Sequence, residues 1–341
     1  MDAERRPKAT IAQWQTVACD CLTSSALALC SPNRSRSPGR QCFRMELPMV
    51  HQGVASKSAA PAIICLAIVL SGCSSHTTQP IISSKPTDTS AAWSPDGRWI
   101  AYAHFDPDSI AMNGLYVTDT TGTQRTLVAS GDPRSIDWSP DSRFIVYDDE
   151  TGIHLIDQSQ GWARTTIRTG GAFPSWSPDG MTIAFDSGQQ IWLMSTSGSG
   201  LQLVWDASPV VMPDWSDDGQ RLVVVEFTQA APAGELSIIQ LSDTSSHAIT
   251  SNARVDKYPR WSPVGGNIVW EQWGQTSTGS NQPEVWLADT NGAGAQRLIV
   301  AHGKPSWHPS GGSVVFSKEA SGAIRLFVMN IDGSGLRQIT H

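Results

Sequence analysis

The chain runs to 341 residues, 40% hydrophobic and 16% charged, with 29 glycines, 21 prolines and a formal net charge of −7. This is the make-up of a globular, turn-rich protein of one large domain or two ordinary ones. Residues 1–72 hold 8 basic and 4 acidic side chains, so the 16 basic and 27 acidic residues that follow leave the body at −11, which argues against nucleic acid and anionic membrane surfaces as partners.

Cysteine and tryptophan divide the chain. All six cysteines (Cys19, Cys21, Cys30, Cys42, Cys65 and Cys73) precede residue 74, whereas 13 of the 14 tryptophans lie between Trp93 and Trp307. Residues 1–44 are expected to be a non-native or disordered N-terminal extension, with Met45 or Met49 as the initiator. Residues 45–72 then read as a signal peptide, whose apolar stretch of about 14 residues, "AAPAIICLAIVLSG", is too short to span a hydrocarbon core of roughly 30 Å as a helix. The stretch ends in Leu70, Ser71, Gly72 and Cys73, which resemble the lipobox of bacterial lipoproteins, where cleavage precedes the cysteine and the thiol takes the lipid. The resemblance implies lipidation at Cys73, a tether over residues 73–87 that begins with the polar run "SSHTTQ", and contact with a membrane through the anchor only. Ser74, rather than Asp, resembles the outer-membrane-directed pattern of an organism with two membranes. Cleavage before Cys73 leaves no free thiol for disulfides, so their absence does not argue for a cytosolic home.

From residue 88 to 341 one phrase recurs. "AAWSPDGRWIAY" at Trp93 returns as "IDWSPDSRFIVY" at Trp138 and "PSWSPDGMTIAF" at Trp176, and in weaker form at Trp215, Trp261 and Trp307. The tryptophans are 45, 38, 39, 46 and 46 residues apart, near the period of four-stranded propeller blades. In each unit a short strand A ends at the Trp and a turn leads to strand B ("WIAY", "FIVY", "TIAF", "RLVVV", "NIVW", "SVVF"), which is apolar at consecutive positions and so must be covered on both faces. Strand C ("GLYVTD", "QIWLMS", "EVWLAD") passes through hairpins such as "SGSG" and "DGSG" into strand D. No stretch has a sustained amphipathic helical period. The expected fold is all-β: a monomeric six-bladed β-propeller with four-stranded antiparallel blades, about 24 strands in all, preceded by the signal segment and a short linker. "QPIIS" near Ile81 either pairs at the seam between first and last blades or belongs to the tether.

The turn itself is structural chemistry. Pro95 presets φ, Asp96 can accept from nearby amides, and Gly97 takes the positive φ that closes the hairpin. Ser142 stands in for the Gly and Asp217 for the Pro in other copies. Trp93, Trp138, Trp176, Trp215, Trp261 and Trp307 read as wedges between neighbouring blades, since a Trp buries roughly 150–250 Å².

Repeats of the form W-S-P-D-G-x-x-I-A-F followed by I-W-L-M-x-x-x-G-S-G resemble the WD-repeat-like propeller repeats of the TolB-like superfamily, over about residues 80–341. The resemblance implies a propeller and an envelope setting, with Tol–Pal-like envelope integrity as one role. The chain is expected to lack the α/β domain that precedes such a propeller, and to lack the hydrolase domain that follows similar propellers elsewhere.

Unit lengths differ chiefly between strands B and C, where the first, fourth and fifth units carry "AHFDPDSIAMN", "EFTQAAPAG" and "EQWGQTSTGSNQP". Loops longer than a fold requires are where function concentrates, so the face formed by B–C and D–A loops, opposite the "SPDG" turns, is the expected binding face. Its candidates are Phe105, Asp108, Asp148, Asp186, Glu226, Phe227, Glu271 and Trp273 from B–C segments, with Arg254, Lys257, His302 and Lys304 from the D–A side. Acidic and aromatic residues together suit an envelope protein or peptide segment, with a glycan as the alternative ligand. No G-x-S-x-G, H-E-x-x-H or paired-Cys motif is present, so no catalytic residue, metal or cofactor is expected. An enzyme would need His104, His154 and His302 brought together over the axis.

Overall fold

The computed structural model describes residues 85–229, 231–252, 254–275 and 281–341. The N-terminal extension, the signal peptide, Leu70, Ser71, Gly72 and Cys73, and Ile81 in the tether lie outside the described residues.

Twenty-four strands among the described residues fall into sets of four. The first is β1 (Thr87–Trp93), β2 (Trp99–Phe105), β3 (Gly114–Asp119) and β4 (Arg125–Ser130), and the second β5 (Ser135–Trp138), β6 (Phe144–Asp149), β7 (Gly152–Asp157) and β8 (Ala163–Thr169). The third is β9 (Ala172–Trp176), β10 (Thr182–Ser187), β11 (Gln190–Ser195) and β12 (Gln202–Trp205), and the fourth β13 (Val210–Trp215), β14 (Arg221–Glu226), β15 (Glu235–Gln240) and β16 (Ser246–Ala248). The fifth is β17 (Val255–Trp261), β18 (Asn267–Gln275), β19 (Asn281–Asp289) and β20 (Gln296–Val300), and the last β21 (Ser306–Trp307), β22 (Ser313–Ala320), β23 (Ala323–Asn330) and β24 (Arg337–Gln338). Within each set, neighbours pair antiparallel. Four sets stand alone as four-stranded sheets, not the six expected, because the first and last merge into one eight-stranded sheet. The link is a parallel bridge between Thr87 and Ile324, reinforced by Arg325, which donates to the carbonyl of Pro86 at 2.7 Å. The outer strand of the last set is β24, paired with β23.

The consecutive apolar residues of each strand B are buried on both sides. Ile100 with Ala101, Ile145 with Val146, Leu222 with Val223 and Ile268 with Val269 all have 0% exposure. One residue of such a pair packs against the preceding set and the other against the following one: Ala101 shares a cluster with Ile136 and Ile145, whereas Ile100 shares one with Val315 and Leu326 of the last set. Every core cluster joins two sets in this way, so an isolated set would expose the apolar surface it shares with its neighbours.

The wedge tryptophans hold the sets in two alternating modes. The indole Nε1 of Trp138, Trp215 and Trp307 donates to a carbonyl of the preceding set, those of Ala92 (3.1 Å), Ser175 (3.2 Å) and Arg260 (2.9 Å). For Trp93, Trp176 and Trp261 the backbone N–H donates instead, to the side chains of Ser306 (3.2 Å), Asp137 (2.7 Å) and Asp214 (2.7 Å). The pair Trp93 and Ser306 ties the first set to the last.

The "SPDG" turns are self-contained. Ser94 Oγ donates to Asp96 Oδ1 at 2.6 Å and accepts from Trp99 N at 2.9 Å, while Asp96 Oδ1 accepts from Arg98 N at 3.0 Å. The same bonds recur around Ser139 and Asp141, Ser177 and Asp179, and Ser216 and Asp218. Gly97 has φ +72°, and Ser142 accepts the same left-handed geometry at φ +60° while its hydroxyl takes the Asp96 amide of the neighbouring turn.

Candidate functional site at the axial hollow

The expected loop face is a different object from the rim the sequence suggested. Asp148, Asp186 and Glu271 are buried, at 0%, 8% and 4% exposure. Each occupies the tenth position after its wedge Trp and accepts a backbone N–H from the next set: Asp148 from Phe173 (3.3 Å), Asp186 from Met212 (3.1 Å) and Glu271 from Lys304 (3.2 Å). These carboxylates staple neighbouring sets together. The receiving residues need it, because Phe173, Met212 and Lys304, like Ser90 and Tyr258 at the same register, have φ between +48° and +58°. Left-handed backbone costs a non-glycine residue about 1–2 kcal/mol.

The remaining loop-face candidates are scattered. Phe105 and Asp108 are exposed in the first set. Glu226 accepts from Ser208 Oγ, and Phe227 packs on the core between fourth and fifth sets. Lys257 lies 5.8 Å from the Trp273 ring centroid, and Trp273 Nε1 donates to Glu271. Arg254 reaches Gln272 (3.1 Å) and Glu284 (3.4 Å), and His302 is half-buried. "EQWGQTSTGSNQP" is largely strand rather than loop: β18 and β19 pair through Gln275 and Asn281.

Contacts between sets, some of them non-neighbouring, close the axis. Lys304 Nζ donates to Ser90 Oγ (2.7 Å) and to the carbonyl of Arg134 (3.2 Å), and stands 5.0 Å from the Tyr258 ring centroid. Phe173 and Tyr258 approach to 6.1 Å between centroids, from the third and fifth sets. Arg260 Nη2 donates to the carbonyl of Ile136 at 3.1 Å, from the fifth set to the second.

On the turn side of this plug the axis opens. Two contiguous hollows, of about 150 and 270 Å³, share Pro95, Asp137, Asp214, Trp261 and Pro263. Their walls are the wedge tryptophans and the turn prolines Pro140, Pro178 and Pro309, with Asp217 in the place of a proline in the fourth set. The floor is Asp137, Asp214 and Arg260, the residues just before three of the wedge tryptophans. Arg260 Nη1 donates to Asp214 Oδ1 at 2.9 Å, and Ser175 Oγ donates to the same oxygen at 3.2 Å. Sequence reasoning missed this site because it assigned the tryptophans and turns to scaffold alone. The signal was present: the residue before the Trp is Ala92, Ser175 or Ser306 in three units and Asp137, Asp214 or Arg260 in the others.

Burial raises the carboxyl pKa values here. Desolvation, with Asp214 nearby and Arg260 opposing, pushes Asp137 up to about 6, and Asp214 is raised by the same burial. Burial pushes Asp148 and Asp186 up to about 7 and Asp256 up to about 6. The folded protein therefore keeps protons that the unfolded chain gives up near pH 4, and stability present below that pH is lost as pH rises through 6 to 7. His302 and His308, held low by burial, act in the opposite sense but are fewer. We expect calorimetry to give a lower melting midpoint at pH 8 than at pH 5. The difference should shrink in an Asp148→Asn/Asp186→Asn variant.

The histidines do not converge. His104 Nδ1 is 2.6 Å from Asp88 Oδ1, His154 is held by Asp149, Thr151, Thr166 and Arg164, and neither shares a partner with His302. Among the described residues no group of three or more His, Cys, Asp and Glu side chains could hold a metal.

Antiparallel four-stranded sets, wedged by tryptophan and blind to one side of their axis, define a β-propeller. The family model of the TolB beta propeller domain matches residues 66–303 and 201–341, and the chain belongs to that family. Its structure is similar to TolB from Acinetobacter baumannii, with a TM-score of 0.57 and 21% identity over 74% of this chain and 62% of that one. It is also similar to a protein from Agrobacterium tumefaciens assigned to TolB (TM-score 0.53, 19% identity, 63% of this chain and 84% of that one) and to a GH74 enzyme from Niastella koreensis (0.50, 14%, 74% and 46%). At such identities the likeness is one of fold, and the chain spans only 62% of the length of the Acinetobacter protein. No curated protein matches the sequence.

Proposed function

We propose that the protein is a non-enzymatic binding or scaffold protein of the bacterial cell envelope, which captures an extended segment of a partner protein at the axial hollow on its turn face. The observation that carries this reading is the hollow itself: it is walled by tryptophan and proline, carries charge on its floor, and is sealed toward the loop face by Lys304, Tyr258 and Phe173. Exposed prolines over largely buried tryptophan walls, around a small polar floor, suit an unstructured segment whose side chains fill the depression. Counting the eight-stranded sheet as two blades makes the monomer a six-bladed ring. In this reading residues 88–341 are the propeller, whose strand β1 begins one residue earlier at Thr87, the chain before it from residue 73 is the tether, 45–72 the signal peptide and 1–44 a non-native or disordered extension. Lipidation at Cys73 would hold the propeller on the periplasmic side of a membrane. Membership of the TolB beta propeller domain family supports an envelope role, and Tol–Pal-like integrity is its most specific form.

Capture from solubilised envelopes tests the reading. Asp217 is exposed and lies outside the core clusters, with its carboxylate beside Gly265 of the next turn, so Asp217→Arg changes the hollow from its rim. The lipidated protein should retain a specific envelope protein, and Asp217→Arg should reduce that retention about tenfold or more, the scale of one interface hot spot. A Phe105→Ala/Asp108→Ala variant on the loop face should retain it normally. Retention that ignores Asp217 and fails in the loop-face variant would overturn the choice of face.

A further inference from the structure

We infer that the hollow selects a segment bearing a lysine or arginine, whose cationic head sits among Asp137, Asp214 and Asp217. This rests on the reading of the hollow as a protein-binding site and adds the chemistry of its ligand.

The repeats themselves isolate the relevant residues. Where a unit needs only scaffold, the residue before the wedge Trp is small and the turn carries proline. The second, fourth and fifth units break the first rule with Asp137, Asp214 and Arg260, and the fourth also breaks the second with Asp217. All three carboxylates line the larger hollow, and a single guanidinium, that of Arg260, lines its smaller neighbour with Asp137 and Asp214. Arg260 is already committed: it donates to Asp214 at 2.9 Å and to the carbonyl of Ile136 at 3.1 Å. Asp214 is in turn saturated by Arg260, Ser175 and the Trp261 amide. Asp137 receives the Trp176 amide at 2.7 Å and no cation at hydrogen-bond distance, and Asp217 is exposed at the rim. The Asp residues of the neighbouring turns are occupied by their own Ser hydroxyls and backbone amides, and Arg143 by Asp157 at 2.7 Å. The hollow thus holds two carboxylates in excess of its one cation.

A partly enclosed carboxylate attracts a cation more strongly than one in bulk water. An anionic ligand is repelled, and a neutral amide or hydroxyl can donate to Asp137 but leaves the excess negative charge unbalanced. Lysine and arginine alone combine an ammonium or guanidinium with a methylene stem, and the stem finds tryptophan and proline walls on its way in.

N-acetylarginine amide and N-acetyllysine amide are direct probes, with N-acetylglutamine amide and N-acetylglutamate amide as controls. The readout is the nuclear magnetic resonance shift of the indole N–H groups of Trp138, Trp176, Trp215 and Trp261 on titration. We expect saturable shifts with the two cationic probes, none with glutamate, and binding weaker by about two- to fivefold in Asp217→Asn, the effect of one exposed charge contact. Asp137→Asn should weaken binding similarly, since its amide oxygen can still accept the Trp176 N–H. Asp108→Asn, on the loop face, should change nothing. Equal shifts with the glutamine amide, or undiminished arginine binding in Asp217→Asn, would overturn the inference. Its failure is separable from that of the broader reading: cationic probes that bind while no envelope protein is captured would leave the chemistry standing, whereas a captured protein whose retention is indifferent to Asp137→Asn and Asp217→Asn would leave only the binding role.

Discussion

Trp138→Ala is expected to lower the unfolding free energy by about 3–5 kcal/mol, among the largest effects of any single substitution in this chain. The indole is 3% exposed and packs with Ala92, Ala101 and Leu115 of the first set and Ile136 and Ile145 of its own. Removing it opens a cavity where two sets meet, and also strips the carbonyl of Ala92 of the Nε1 donor it meets at 3.1 Å. The alternation among wedge tryptophans sharpens the test. Trp176 is equally buried, yet its Nε1 has no hydrogen-bond partner among the described residues. Trp138→Phe should therefore cost about 0.5–1.5 kcal/mol more than Trp176→Phe, the worth of one net hydrogen bond. Denaturant unfolding of the paired variants measures the difference, and equal costs would remove the distinction between the two modes.

Asp214→Ala is expected to be comparably damaging, at about 3–5 kcal/mol, because it strands a cation inside the ring. Asp214 accepts from Arg260, from Ser175 Oγ and from the Trp261 amide, joining the third, fourth and fifth sets at one carboxyl group. Its loss leaves Arg260 with the Ile136 carbonyl and the more distant Asp137. If stranded charge is the cause, Asp214→Ala/Arg260→Met should recover a substantial part of the loss in a double-mutant cycle. A double variant no more stable than Asp214→Ala would mean that the amide staple to Trp261 carries the effect.

The repeat phrase made the strands legible because its signal is local. A Trp, a proline-glycine turn and consecutive apolar residues each dictate their own geometry, and β1 to β24 follow the expected order. Merging of the first and last sets was not legible, since it depends on Thr87 meeting Ile324, two residues with no sequence signature for pairing. Three of the loop-face candidates are buried rather than on the rim, for a physical reason. Charged residues at strand ends look solvated in a sequence, but Asp148, Asp186 and Glu271 sit where a left-handed residue of the next set offers an unbonded N–H, and they are drawn inward to meet it. Conversely, Asp137 and Asp214 lie inside the most regular part of the repeat, where regularity suggested scaffold alone. Asp217 was visible as a departure from the turn's pattern, and its meaning became clear only with the hollow it faces.

Photocrosslinking in native envelopes tests the central claim most directly. A photoreactive residue placed at Met181 or Val264, exposed at 70% and 62% on turns beside the hollow, reports on the turn face, and one at Ile110 or Met112, exposed at 79% and 47%, on the loop face. The turn-face positions should give a discrete crosslinked partner that disappears with Asp217→Arg, and the loop-face positions none. A partner trapped from Ile110 or Met112 but not from Met181 or Val264 would contradict the account.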